Sequence, residues 1–290
     1  MAKSILAKQP DGAIQLTITI PVDEVNKGYE RAIVDIVNNA EIDGFRKGKA
    51  PRKLVEEKTD KAKVYEKVLP DIVPQAYIEA VKEHSLKPIV APKVELLKAK
   101  EGEDWEIRAT TCEEPIVDLG DYKEKVKIAL ASTKLWTPDK KDADKEKTPE
   151  STEDEKTQKV IQALLDTVKV EIPQIIIEEE VNRSVASLIS QTNSMGLTID
   201  QYLASIGKTP ESVRKEYIDK TMANYKMQFA LDKIAGNEKI EVTDQEIEDL
   251  IKVSGDENLK KEMENPMQKA YIKGLIARRK TLEFLTKLII

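Results

Sequence analysis

The 290-residue chain is 34% charged and only 4% aromatic, a balance that favours long solvent-washed helices over a compact enzyme core. Its net charge of −6 excludes nucleic-acid binding driven by overall charge, and its single cysteine, Cys112, excludes an intramolecular disulfide and fits a reducing compartment. At roughly 100–200 residues per domain the length suggests two domains. No apolar run approaches the ~18 residues that a bilayer span needs. The opening MAKSILAKQPDGAIQ has neither a secretory nor a transit pattern, so a cytoplasmic, soluble protein is expected.

Residues 13–20 alternate, with Ile14, Leu16, Ile18 and Ile20 on one side, and predict a half-buried strand ended by Pro21. A helix is expected next, with Val22, Val25, Tyr29, Ile33, Ile36 and Ala40 on one stripe and Asp23 and Glu24 at its positive end. Residues 41–51 read as a loop punctuated by Gly44, Gly48 and Pro51, with Pro51 opening a new helix. The stretch from about 61 to 84 is helical in pattern, and Pro70 and Pro74 should break or kink it. Strands are expected within 88–97, with Val90, Val94 and Leu96 on one face, and at 104–112, with Trp105, Ile107 and Ala109 on one face. Together these make an α+β domain.

Residues 118–136 read as a connector with weak strand character. Residues 137–157 hold one apolar residue besides the prolines, Ala143, and suit a flexible linker or an exposed helix start. From about 155 the pattern is helical. Stripes run through Val160, Leu164 and Val168, then Ile177, Val181, Val185, Leu188 and Ile189, then Ile218, Met222, Tyr225 and Phe229. The last runs through Tyr271, Leu275, Leu282, Leu285 and Ile289.

The loop GFRKGKAP at 44–51 sets an apolar residue, Phe45, on an otherwise polar tip. Gly44 and Gly48 let the backbone turn and approach a partner closely. Residues 46–67 hold nine basic and four acidic residues, a basic tip on an acidic body. Such a tip suits RNA phosphate or an acidic protein edge; the bland alternative is a solvated turn before a helix. The loop matches the trigger factor signature, Gly-Phe-Arg-x-Gly-Lys-x-Pro, at every fixed position. IPVDEVNKGYERAIVDIVNNAEIDGF, EEPIVDLGDYKEKVKI and VIQALLDTVKVEIPQIIIEEEVNR resemble further parts of that family in the right order, the last more by pattern than by identity. Asp43 departs from it, standing where many relatives have proline.

The resemblance implies an α+β ribosome-binding domain (1–117), a connector and charged linker (118–157) replacing the family's prolyl-isomerase domain, and an all-α, SurA-like helical chaperone domain (158–290). The implied function is an ATP-independent chaperone that docks on the large ribosomal subunit at the tunnel exit, through a ribosomal protein and rRNA, and shields nascent or unfolded polypeptides. Carried over by position, the ribosome-binding residues are Phe45, Arg46 and Lys47, supported by Gly44, Gly48 and Lys49. The family's ability to dimerise implies a weak homodimer. Candidates for client binding are Met195, Met222, Met227, Met263 and Met267, whose adaptable side chains suit varied apolar clients but equally fill irregular helix–helix cores. No catalytic residue, metal or cofactor is expected. Gly207-Lys208-Thr209 and Gly48-Lys49 both lack the first glycine of a phosphate-binding loop. The sole histidine, His84, reads as a surface residue near a helix end, and Cys112 as a buried strand cysteine. The readings left beside the chaperone are an extracytoplasmic SurA-type chaperone, a prolyl isomerase, and a ribosome-binding factor that handles no clients.

Overall fold

The computed structural model describes residues 3–42, 44–131, 149–247, 249 and 265–288. Asp43, Trp136, Met263, the side chain of Met267 and most of the charged stretch 137–157 lie outside the described residues. The chain forms two compact units, Met1–Glu114 with Pro173–Ile176, and Pro115–Ile172 with Ile177–Ile290.

The first unit is built on strands β1 (Lys3–Lys8), β2 (Ala13–Ile20), β3 (Lys93–Lys98) and β4 (Trp105–Cys112). They form one antiparallel sheet in the order β1-β2-β4-β3. Alternation decides which face is covered. Leu16, Ile18 and Ile20 of β2 pair with Ala109, Ile107 and Trp105 of β4, and all six are buried. Cys112 at the end of β4 is buried as well. Helices α1 (Val22–Asn39) and α3 (Lys61–Glu83) cover that face, and Tyr29, Tyr65 and Trp105 stack in series with centroids 5.4 and 5.3 Å apart. The two helices approach closely at Gly28, where a Cβ would stand 2.8 Å from Val68 Cγ1 and 2.9 Å from Ile72 Cγ2.

Of the break or kink expected at Pro70 and Pro74, the break does not occur: α3 runs as one helix from Lys61 to Glu83. Both prolines are exposed, so the carbonyls they leave unbonded face water rather than the core. Val64, Val68, Ile72, Ala76 and Ala80, spaced four apart, hold the opposite face down.

Among its described residues the second unit is helical apart from a two-residue strand pair, β5 (Val117–Asp118) with β6 (Lys169–Val170). Of the weak strand character expected across 118–136, the described residues show only Asp118, paired in β5 with Val117; residues 132–136 lie outside the described residues. Residues Tyr122–Ala131 form helix α4, because Tyr122, Val126 and Leu130, one turn apart, are all buried. They join a core with Val160, Leu164 and Val168 of and after α5 (Pro149–Thr167). Further helices are α6 (Gln174–Ser194), α7 (Ile199–Ser205), α8 (Pro210–Asn237) and α9 (Pro266–Thr286), and the described residues 244–247 are helical as well. Helix α8 feeds this core through Ala230, Leu231 and Ile234, and α9 through Leu285. An Arg278 fork grips Asp232 at 2.7 and 2.8 Å between α9 and α8. Tyr122 donates a hydrogen bond to Glu238 at 2.9 Å, and Lys123 sits 2.7 Å from the same carboxylate. Lys123 and then Tyr122 hold Glu238 below the usual carboxylate range, while burial and that carboxylate push the Tyr122 phenol up. Among the described residues no helix is long and apolar enough to cross a membrane.

Candidate functional site

The signature loop hangs between the end of α1 and α2 (Arg52–Lys58). Its root is closed by backbone. Ala40 caps α1 in an extended conformation, and its carbonyl accepts from Gly48 N at 3.0 Å. Gly48 lies at φ +71°, and a Cβ there would meet the Asn38 carbonyl oxygen at 2.4 Å. Only glycine satisfies both the left-handed backbone and that approach. Ala50 is buried just beyond, and Pro51 stands as the cap before α2 rather than inside it. Between these fixed points the chain turns twice, with Phe45 N on Ile42 O at 3.0 Å and Lys49 N on Arg46 O at 2.9 Å.

What projects is the set that the sequence singled out. Phe45 is 45% exposed, and Gly44, Arg46, Lys47 and Lys49 are exposed beside it. The Phe45 ring is thus close to half exposed on a tip that is otherwise polar. The cations are not equivalent. Lys47 lies 3.3 Å from Glu41. Arg52, counted with the basic cluster from sequence, is engaged elsewhere. Its terminal nitrogens donate to both oxygens of Glu30 on α1, at 2.7 and 2.8 Å, and its Nε donates to Glu56 at 2.7 Å. Those bonds, Glu30 first, hold the guanidinium firmly charged and depress the Glu30 carboxyl. Sequence reasoning missed Glu30 and Glu41. The spacing of four between Arg52 and Glu56 is a readable helix pair; the pairing with Glu30 across the loop carries no local signal.

The methionines separate. Met195 is 59% and Met222 46% exposed, whereas Met227 packs on the core of the second unit. Met195 follows α6 beside exposed Leu197, and Ile206 caps the far end of α7, so the turns on either side of α7 carry exposed apolar side chains. The last apolar stripe divides as well. Leu285 is buried and Leu282 half-buried, while Tyr271 and Leu275, one turn apart, are exposed. Other singled-out residues have structural roles. Lys208 pairs with Glu216 at 2.7 Å, and Thr209 caps α8 through the amide of Ser212. His84 is half-buried at the end of α3, its Nε2 2.9 Å from Ser4 Oγ, rather than a free surface side chain.

The family model for the bacterial trigger factor protein matches residues 2–148, and that for the trigger factor C-terminus matches residues 140–287. Trigger factors of Staphylococcus aureus strains JH9, Newman and Mu50 are each 38% identical over 108 residues, covering 37% of this chain and 25% of theirs. The chain thus matches about a quarter of the length of these curated relatives. A solved structure described for promiscuous substrate recognition by the trigger factor chaperone superposes with a TM-score of 0.66 at 15% identity. That alignment covers 99% of this chain and 100% of the other, a likeness of fold. With family models running from residue 2 to residue 287, the chain belongs to the trigger factor family.

Proposed function

We propose that this protein is an ATP-independent chaperone that docks on the large ribosomal subunit and shields nascent or unfolded polypeptide. The observation that carries the reading is the closed loop that displays Phe45, Arg46 and Lys47 to solvent. A ring of that size anchors in an apolar pocket, and the two cations match phosphate or carboxylate around it. Gly44, Gly48 and Lys49 shape and flank the tip. The partners are a tunnel-exit ribosomal protein with nearby rRNA, which places the protein in the cytoplasm, and a weak homodimer when it is free.

In this reading residues 1–117 form the ribosome-binding domain and 158–290 the client-binding domain. Residues 118–157 stand where an isomerase domain would be inserted, and the protein is not an isomerase. Client contact falls to the outward apolar side chains of the second unit, Met195 and Met222 among them.

The test is co-sedimentation with purified large ribosomal subunits across a salt series. The Phe45→Ala, Arg46→Ala, Lys47→Ala variant should bind well over tenfold more weakly, since each charge-assisted bond is worth roughly 1.5–3 kcal/mol. Wild-type binding by a variant shown folded by circular dichroism defeats the reading. An aggregation assay without ATP then separates a chaperone from a ribosome-binding factor that handles no clients.

A further inference from the structure

Of the cations around the loop, Arg52 alone has a guanidinium spread over two carboxylates from two helices. Glu30 lies in α1 and Arg52 opens α2, so the fork ties together the two helices that flank the loop 40–51, while the Gly48 N–Ala40 O bond ties the loop's own root. An isolated exposed ion pair contributes little to stability, but a bidentate arginine in a three-charge network is the geometry in which such pairs hold. Three of the five donors of Arg52 are occupied, in the directions that a phosphate would otherwise use.

Resting on the docking reading above, we infer that Arg52, Glu30 and Glu56 are positioning residues for the ribosome contact. The Arg52 fork fixes the angle between α1 and α2 and so holds Phe45, Arg46 and Lys47 in their presented geometry. Arg52 itself makes no phosphate contact. Ordering the tip beforehand spares the entropy of ordering it at the ribosome. The role is distinguishable from a direct contact. A direct contact depends on charge and survives substitution by lysine, whereas a clamp depends on the fork and does not.

The test places full-length wild type, Glu30→Gln, Arg52→Lys, Arg52→Gln and the Phe45/Arg46/Lys47 triple alanine variant in one co-sedimentation series with large ribosomal subunits at four salt concentrations. Hydrogen exchange of the Gly48 amide is followed in the free proteins. Glu30→Gln and Arg52→Lys should each weaken binding by about five- to tenfold through lost pre-organisation. The slope of log affinity against log salt should stay that of wild type, and the Gly48 amide should exchange faster. Wild-type affinity for both single variants overturns the clamp, as does wild-type Gly48 exchange in both. An Arg52→Gln variant whose slope falls by about 0.7–0.9, the signature of one lost phosphate contact, also overturns it. If the triple variant binds as wild type does, the docking reading itself falls. If the triple variant is weak and the single variants are not, only the clamp does.

Discussion

The Lys47 ammonium lies 3.3 Å from the Glu41 carboxylate, across the root of the tip that displays Phe45. Both side chains are largely exposed, so the pair is weak and exchanges readily for another partner. A phosphate approaching Lys47 must displace Glu41 and is repelled by it. Glu41→Gln should therefore bind large subunits about two- to fivefold more tightly at low salt, the range that one exposed pair spans. The gain should shrink as salt rises, because both effects are screened. Equal or weaker binding by Glu41→Gln at every salt concentration would show that Lys47 takes no part in docking.

The two loop glycines should respond differently to alanine. A Cβ on Gly44 meets nothing within 4 Å, so Gly44→Ala costs only the left-handed backbone at φ +87°, about 1–2 kcal/mol at most. At Gly48 the same strain adds to a Cβ 2.4 Å from the Asn38 carbonyl, and the backbone must move. Gly48→Ala should disturb the tip and weaken ribosome binding several-fold more than Gly44→Ala. Paired binding curves with melting temperatures check this. Indistinguishable variants would mean that the Gly48 approach does not shape the tip.

How much of this was legible depends on the range of the signal. Strand β2 was readable because Ile14, Leu16, Ile18 and Ile20 all face the core and alternate with Gln15, Thr17 and Thr19. Strand β1 escaped because it is an edge strand with Ile5 turned outward to water, so its apolar residues do not alternate. Helix α4 escaped because its inward set is only Tyr122, Val126 and Leu130 in a stretch rich in lysine. The prolines of α3 do not end the helix, because propensity is local while the buried stripe on the other face is tertiary and prevails. At the site, the tip residues and glycines are contiguous and could be read directly. The Glu30–Arg52 fork spans 22 residues of sequence and needs the fold to bring its halves together.

Helix packing gives a prediction with its own control. Alanine is the better helix former by about 0.8–1 kcal/mol, so a glycine inside a helix usually gains from the change. At Gly274 in α9 a Cβ would meet only Arg278, at 3.9 Å, and Gly274→Ala should stabilise by up to about 1 kcal/mol. At Gly28 the Cβ would press on Val68 and Ile72, whose β-branching leaves little room to rotate away. Overpacking of that kind costs about 1–3 kcal/mol and outweighs the propensity gain. Gly28→Ala should thus lower stability in urea unfolding. A stabilised Gly28→Ala would mean that α1 and α3 separate at little cost.

The chain between α4 and α5 is residues 132–148. That is far below the ~40 residues under which a domain cannot bury a core unaided. A separate catalytic domain does not fit in that length, so on the proposed reading peptide prolyl isomerisation should stay at the uncatalysed rate. The control is a trigger factor that carries the domain. Turnover comparable to that control would place catalysis in one of the two units described here.

The outward apolar residues of the second unit make client binding testable without disturbing the fold. Met195 and Leu197 lie in the α6–α7 turn and Ile206 follows α7, while Tyr271 and Leu275 lie one turn apart on α9. Tyr271 is 61% and Leu275 44% exposed, so neither is holding a core together. Each substitution by serine should change stability by no more than about 0.5 kcal/mol. Leu285, fully buried on the same helix, is the contrast, and Leu285→Ala should cost about 2–5 kcal/mol. Removing each exposed set should weaken suppression of aggregation of an unfolded protein, and removing both should weaken it further, because dispersed apolar contacts bind varied clients by summing small terms. Ribosome binding should be unchanged, since the loop proposed for docking belongs to the other unit. Full anti-aggregation activity in a stably folded variant lacking all five side chains would move client binding off these surfaces.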